Sequence, residues 1–507
     1  PSDTRRPIIR SHFTTDRNEN TMIGIILDDN AFEQDIRELL MAFYPGETYI
    51  HEEVDGEEKP RLSVYGKTGE NRYFLTVREY VEDGEILENE AAVEADYSNR
   101  FETKNRIKRM LYGLLSEKTK KELPWGTLTG IRPTKIAMTK LTEGKGEDEI
   151  RSYMKETYLT SDAKIDLSIE IAERERELLS AIDYENGYSL YVGIPFCPTT
   201  CLYCSFTSFP IKSWEKRMEE YLSALFKEMD YAARTMAGRT LDTVYFGGGT
   251  PTSLSAEHLE MVMRKLKATF DFSSVKEFTV EAGRPDSITE EKLKVLLDYG
   301  VTRISINPQT MKQATLDLIG RRHTVDMVKE KYRLAREMGF DNINMDLIIG
   351  LPEEDLEDVR HTMEEIRALD PDSITVHSLA IKRAARLNMF KEKYGDLKIT
   401  NTQDMIDLTA SCAREMGQEP YYLYRQKNMA GNFENVGYSR PGKACIYNIL
   451  IMEEKQTIVA CGAGTTTKVV YPAENRLERV ENVKDVEQYI ARIDEMLERK
   501  EKLLNRN

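Results

Sequence analysis

Two hydrophobic rhythms run along this chain, and they change near residue 186. In the first stretch, "MIGIILDD" from Met22, "RLSVYGKT" and "NRYFLTVREYV" carry the β-branched and aromatic runs of strands, the last two meeting at a glycine-containing turn. "AFEQDIRELLMAFY", "KNRIKRMLYGLLSE" and "IDLSIEIAERERELLSAI" instead space apolar residues every three or four positions and predict helices. From Ser189 the order becomes regular. "SLYVGI", "DTVYFG", "EFTVEA", "RISINP", "NINMDLIIG" and "SITVHSL" read as strands, separated by amphipathic segments such as "AEHLEMVMRKLKATF" and "VDMVKEKYRLAREMGF". Six strands with helical crossovers predict an α/β fold around a parallel sheet, doubly wound or curled into a partial (βα)6 TIM-like barrel. The rhythm stops near Ile381, and a mixed helix-and-strand region runs to a charged terminal helix, "DVEQYIARIDEMLERKEKLL". Four parts are expected. Residues 1–21 are polar and patternless and read as a leader, tag or upstream extension. An N-terminal α/β domain spans 22–185, the βα region 186–385, and a C-terminal mixed α/β domain over 386–507 covers the mouth.

Charge narrows the partners. Lys plus Arg number 71 against 87 Asp plus Glu, a net charge of −16, which argues against sequence-blind nucleic-acid binding. No apolar run reaches the about 20 residues of a membrane helix, and the start lacks the apolar stretch of a secretory signal. A cytoplasmic protein is expected, where thiols stay reduced and clustered cysteines more often bind metal than pair.

In parallel βα folds ligands gather at the C-terminal ends of the strands, and here nearly every such end carries polar chemistry. The first leads into Cys197, Cys201 and Cys204, and the second into Gly247, Gly248, Gly249, Thr250 and Pro251. The third ends at Glu281, the fourth is followed by Asn307 and Gln309, the fifth carries Asp346, and the sixth His377 and Ser378. A structural zinc needs four ligands, yet Cys412, Cys445 and Cys461 lie more than two hundred residues downstream of the three. An ordinary ferredoxin cluster also takes four thiolates. Three thiolates leave one iron of a [4Fe–4S] cluster open. The glycine run is neither a phosphate loop nor a dinucleotide fingerprint; it permits close approach of a ligand to the backbone or forms a tight βα turn.

Cys-x3-Cys-x2-Cys after one strand and Gly-Gly-Gly-Thr-Pro after the next resemble the radical S-adenosylmethionine (SAM) superfamily. Within it, "YVGIPFCPTTCLYCSF", "VYFGGGTPTSL", "RISINPQT", "MDLIIGLP" and "YYLYRQKNMAGNFENVGYSRPG" are similar to the oxygen-independent coproporphyrinogen III oxidase group, most of all its HemZ branch. The resemblance runs from Met22 to near the C-terminus. It implies a radical SAM barrel and a [4Fe–4S] cluster on Cys197, Cys201 and Cys204. Tyr191, the backbone around Tyr203, Gly248, Gly249 and Glu281 would contact the SAM on the open iron, with Tyr191 beside the cysteines at the reacting centre. Thr250, Gln309, Arg321, Asp346 and Ala380 match positions that hold a second SAM. The implied activity is decarboxylation of coproporphyrinogen III to protoporphyrinogen IX by a 5′-deoxyadenosyl radical. Its implied partners are a tetrapyrrole and a low-potential flavodoxin or ferredoxin, and a monomer is expected, with neither nucleic acid nor membrane involved. A HemW-type haem chaperone and a haem-methylating, ring-opening enzyme share the fold and stand as alternatives.

The chain departs from the coproporphyrinogen enzymes at Gly193, where they carry His, and at Ser205 and Phe206, where they carry a further Cys. "YNILIM" (Tyr447 to Met452) stands where the chaperones carry a His-Asn-x-x-Tyr-Trp motif. Lys382, Arg383 and Arg386 form a basic cluster suited to a polycarboxylate, or a solvated helix face. Tyr421, Tyr422 and Tyr424 stack on a macrocycle or belong to the core.

Overall fold

A computed structural model describes residues 22–53, 60–80, 85–130, 132–206, 208–380, 385–389, 397–426, 433–474 and 476–504. Two compact units divide the chain: one runs to Thr129 and takes in Thr157–Leu159, and the other comprises Gly130–Glu156 and everything from Thr160. The first unit is a sheet of β1 (Met22–Leu27), β2 (Thr48–Ile50), β3 (Leu62–Thr68), β4 (Arg72–Tyr80) and β5 (Ile86–Glu94) in the order β2-β1-β3-β4-β5. Alternation sorts its faces. Tyr73, Leu75 and Val77 of β4 are buried, with Ile36 and Leu39 of the helix Glu33–Phe43 and Leu111 and Leu115 of the helix Arg100–Thr119 in the same core. β5 has no such alternation to read, because as an edge strand it is largely exposed.

The second unit is built on β6 (Gly187–Ile194), β9 (Thr240–Gly248), β10 (Glu277–Glu281), β11 (Arg303–Ser305), β12 (Ile343–Ile349) and β13 (Ser373–Ser378), parallel and adjacent in chain order. Between the first two lies a short pair, β7 (Phe196–Cys197) and β8 (Phe209–Pro210). Leu190, Val192, Val244, Phe246, Phe278, Val280, Ile304, Ile343, Met345, Ile374 and Val376 are all buried, the composition of strands covered on both faces. Most crossover helices start where a short polar side chain caps them. Ser255 accepts from the His258 N–H, Thr289 from Lys292 and Thr324 from Met327, while Asp355 and Asp358 form a reciprocal capping box.

The sheet is curled. Five spacings of about 4.8 Å would separate β6 from β13 by about 24 Å if it were flat, yet residues of every strand end from Cys197 to His377 line one cavity. The expected partial (βα)6 barrel is present.

The expected domain borders differ from the observed units. The helices Thr134–Thr142 and Asp162–Ser180, placed with the N-terminal domain over 22–185, belong to the second unit. The region 386–507 is not a separate layer either. β14 (Glu419–Tyr424) and β15 (Asn435–Ser439) extend the barrel sheet antiparallel beyond β13. β16 (Thr457–Cys461) pairs parallel with β6, and β17 (Thr466–Tyr471) and β18 (Arg476–Glu481) follow it outward, giving eleven strands among the described residues. The terminal helix breaks at Arg492 into Val486–Ala491 and Ile493–Leu504. No helix among the described residues is long and apolar enough to cross a membrane.

Candidate functional site

The cavity at the strand ends encloses about 360 Å³, within the range of small-molecule sites. Its wall follows from strand geometry. Arg303 and Ser305 on β11, Asn344, Asp346 and Ile348 on β12, and Thr375 and His377 on β13 are i, i+2 sets that face inward together. Of the residues expected from sequence, Cys197, Cys201, Cys204, Tyr203, Gly248, Gly249, Thr250, Glu281, Gln309, Arg321, Asp346 and Ala380 all border it.

The cysteine loop is tied to the segment after β11. Leu202 N–H donates to the Ile319 carbonyl at 2.9 Å, Thr199 Oγ1 to that of Gly320 at 3.1 Å, and Arg321 Nη1 to the Tyr203 hydroxyl at 3.3 Å. Cys197 Sγ lies 3.4 Å from Thr250 Oγ1, and Arg284 Nη1 donates to Cys201 Sγ at 3.5 Å. Burial raises the pKa of the Cys197 thiol and pushes that of Cys204 up to about 11, so the surroundings of these two by themselves keep them protonated. Coordination is what would displace the protons. Among the described residues, no three or more His, Cys, Asp or Glu side chains close on a single ion. Three thiols along one wall instead suit a cluster in which each of three irons takes one sulfur.

The two acidic groups are tuned differently. Burial lifts the Glu281 carboxyl to about 7, against the hydrogen bond it accepts from the Tyr245 hydroxyl at 2.6 Å. Burial also opposes ionisation of Asp346. There, His377 at 3.8 Å, the Asn344 amide at 2.7 Å and the Arg303 charge outweigh it and hold the carboxyl below its usual range. Tyr424 completes this array with its hydroxyl 3.3 Å from His377 Nδ1.

The glycine run serves strand packing first. A Cβ on Gly249 would lie 2.5 Å from the Phe196 carbonyl oxygen, and one on Gly247 would meet Tyr191, Tyr245 and Glu281 at 3.0–3.2 Å. Gln309 adopts φ +70°, a costly conformation for a side-chain-bearing residue, while its N–H and carbonyl bond the backbone of β12. Its Oε1, Arg321 Nε, Arg303 Nε, Ser305 Oγ and Asn435 Nδ2 are buried on this wall without a partner among the described residues. Such atoms fit a polar ligand with several donors and acceptors, as SAM has.

Other expected residues lie apart. Tyr191 does not border the cavity. Its ring stacks on Tyr245 at 6.0 Å and Tyr447 at 6.1 Å between centroids. Tyr421 is core, whereas Tyr422 and Tyr424 line the wall. Arg386 is exposed on the helix Arg386–Met389 away from the lining, and Lys382 and Arg383 lie outside the described residues. Cys412, Cys445 and Cys461 are unpaired, and Cys445 donates to Glu277.

Sequence reasoning missed Tyr245, Arg284, Arg303 and the helix Ile446–Glu453, which brings Asn448 and Met452 to the wall. Arg303 had a legible signal, a charge opening an otherwise apolar strand. The helix had none, since its placement depends on contacts at both ends. Glu277 accepts from the N–H groups of Ile446 and Tyr447 at its start, and Arg132 donates to the Met452 carbonyl at 2.9 Å at its end.

A model of the radical SAM superfamily matches residues 191–366. The chain is 43% identical over 410 residues, 80% of its length and 81% of the relative's, to the oxygen-independent coproporphyrinogen-III oxidase-like protein HemZ of Bacillus subtilis. It is 41% identical over 198 residues to the haem chaperone HemW of the same organism, covering 38% of this chain and 51% of that one. The oxygen-independent coproporphyrinogen III oxidase of Escherichia coli is 28% identical over 246 residues, 48% and 53% of the two chains. A solved structure of that oxidase, HemN, superposes with a TM-score of 0.50 over 64% of this chain and 73% of its own at 23% identity, which shows a shared fold. The chain therefore belongs to the radical SAM superfamily, in the group of oxygen-independent coproporphyrinogen III oxidase-like proteins that contains HemZ.

Proposed function

We propose that this protein removes carboxyl groups from a tetrapyrrole of the coproporphyrinogen III type in the absence of oxygen. Superfamily membership implies a [4Fe–4S] cluster and SAM, and together these supply a carbon-centred radical that takes a hydrogen atom from the substrate. The protein's part is to hold both reactants dry and in register. Cys197, Cys201 and Cys204 would hold the cluster, and Glu281, Gln309, Arg321 and Asp346 would orient SAM, one molecule or two. The supporting observation is a pair of guanidinium groups, Arg303 and Arg321, each with a buried Nε that has no partner among the described residues, on a wall that also carries the cysteines. Each can take a carboxylate in a charge-assisted bond, one from the cofactor and one from a substrate side chain. Tyr422 and Tyr424 on the same wall offer flat faces on which the ring would stack.

The test is anaerobic reconstitution with SAM, a low-potential donor of the flavodoxin or ferredoxin class and an electron acceptor, with coproporphyrinogen III and haem followed by mass spectrometry. Stepwise loss of two carboxyl groups with release of 5′-deoxyadenosine is expected. Deoxyadenosine with coproporphyrinogen unchanged would sink the decarboxylase reading. Stoichiometric binding of unmodified haem would then favour a chaperone, and methylated or linear products a haem-modifying enzyme.

A further inference from the structure

Arg284 belongs to none of the motifs that carry the family resemblance, yet its side chain is 4% exposed and fully engaged. Nη1 donates to Cys201 Sγ at 3.5 Å and to the Thr199 carbonyl at 3.3 Å, and Nη2 to Thr199 Oγ1 at 3.1 Å. Asp286 grips the same fork from its other edge, Oδ1 to Nε at 2.9 Å and Oδ2 to Nη2 at 2.8 Å. Burial works against ionisation of Asp286, but the bond and charge of Arg284 win and hold its carboxyl below the usual range. The two therefore form an ionised, bidentate pair whose free edge points an N–H at one cysteine sulfur.

We infer that Arg284 is a positioning residue for electron entry: its N–H to the Cys201 sulfur sets the reduction potential of the cluster, and Asp286 holds the guanidinium in place. The inference rests on the cluster assignment and not on the identity of the substrate. The step is a one-electron reduction, with the electron arriving from an external low-potential donor and no proton or covalent bond changing place in this pair. Added negative charge spreads onto the sulfurs, so a cationic donor there stabilises the reduced state more than the oxidised one, and burial keeps that interaction unscreened. Arg suits the role better than Lys, because a planar fork can serve the carboxylate and the sulfur at once.

Wild type, Arg284→Gln and Arg284→Lys, each reconstituted anaerobically, would be titrated against potential with the reduced cluster read by electron paramagnetic resonance. Arg284→Gln should move the midpoint to more negative potential, lowering the reduced-to-oxidised ratio at the wild-type midpoint roughly tenfold, about 59 mV for one electron. Arg284→Lys should move it the same way by less. An unchanged midpoint in Arg284→Gln at full iron content overturns the inference. Should that variant take up no iron, Arg284→Lys decides, and a midpoint equal to wild type overturns it. A wild-type protein that binds no cluster removes the cluster assignment together with this role, whereas an altered midpoint without decarboxylation would leave this role standing and fail only the proposed function.

Discussion

Glu281 shows how a single side chain at the mouth registers both burial and neighbours. Its carboxyl titrates near 7 instead of the ordinary 4.5, so between those values the folded protein binds more protons than the unfolded chain. Stability contributed by this group is thus greatest at low pH and is lost as pH rises toward 7, by roughly 3 kcal/mol in all. The Glu281→Gln variant of the apoprotein should lack that slope. Denaturant midpoints from pH 4 to 8 would show the variant gaining on wild type up to pH 7 and running parallel above it; a constant difference across the window would refute the raised pKa. The cysteines make a second residue-scale prediction. Cys201→Ala should abolish cluster assembly, read as loss of bound iron and of the charge-transfer absorption, because two remaining thiolates hold too few irons.

Between elements, β6 and the loop after β16 approach closely at Gly193. A Cβ there would lie 2.4 Å from the Thr465 Cγ2 methyl, so the space a side chain would need is filled from the loop after β16. Gly193→Ala should cost about 1–3 kcal/mol by overpacking. Thr465→Ser removes the methyl and keeps the hydroxyl that donates to the Gly462 carbonyl at 2.7 Å. The double variant Gly193→Ala/Thr465→Ser should therefore recover most of the loss in a double-mutant cycle, and additive losses would mean the contact is not the cause. A bulkier side chain at Gly193 would meet the same methyl and cost more.

Across the second unit, the far C-terminus pins the barrel's first edge. Lys500, 1% exposed on the helix Ile493–Leu504, pairs with the fully buried Glu228 of the helix Met218–Thr235. Glu228 also accepts from the Tyr489 hydroxyl, the Asn482 amide and the Gly462 N–H, holding the loop that abuts Gly193. Lys500→Met would leave a buried carboxylate uncompensated and should cost about 3–5 kcal/mol, seen as a lowered Tm. Adding Glu228→Gln should restore part of it, whereas an unaltered Tm in the single variant would show that the pair contributes little.

The sequence by itself determined the parallel βα succession, most of its helix starts and the three-cysteine loop, because periodicity, capping and ligand spacing are local properties of a few consecutive residues. It also marked Glu281, Gln309 and Asp346 as candidates, since strand ends in such a fold converge, whereas Arg321 came only with the family resemblance. Tertiary structure alone decided that β14–β18 complete one sheet rather than form a separate domain, and that the helices of 134–180 pack with the barrel unit. Edge pairing and helix docking join residues hundreds of positions apart and leave no periodic trace. Only the folded chain shows that Tyr191 stands behind Tyr245, that Thr465 fills the place beside Gly193, and that Arg284 meets the Cys201 sulfur. Each of those depends on the distance between side chains that the sequence separates.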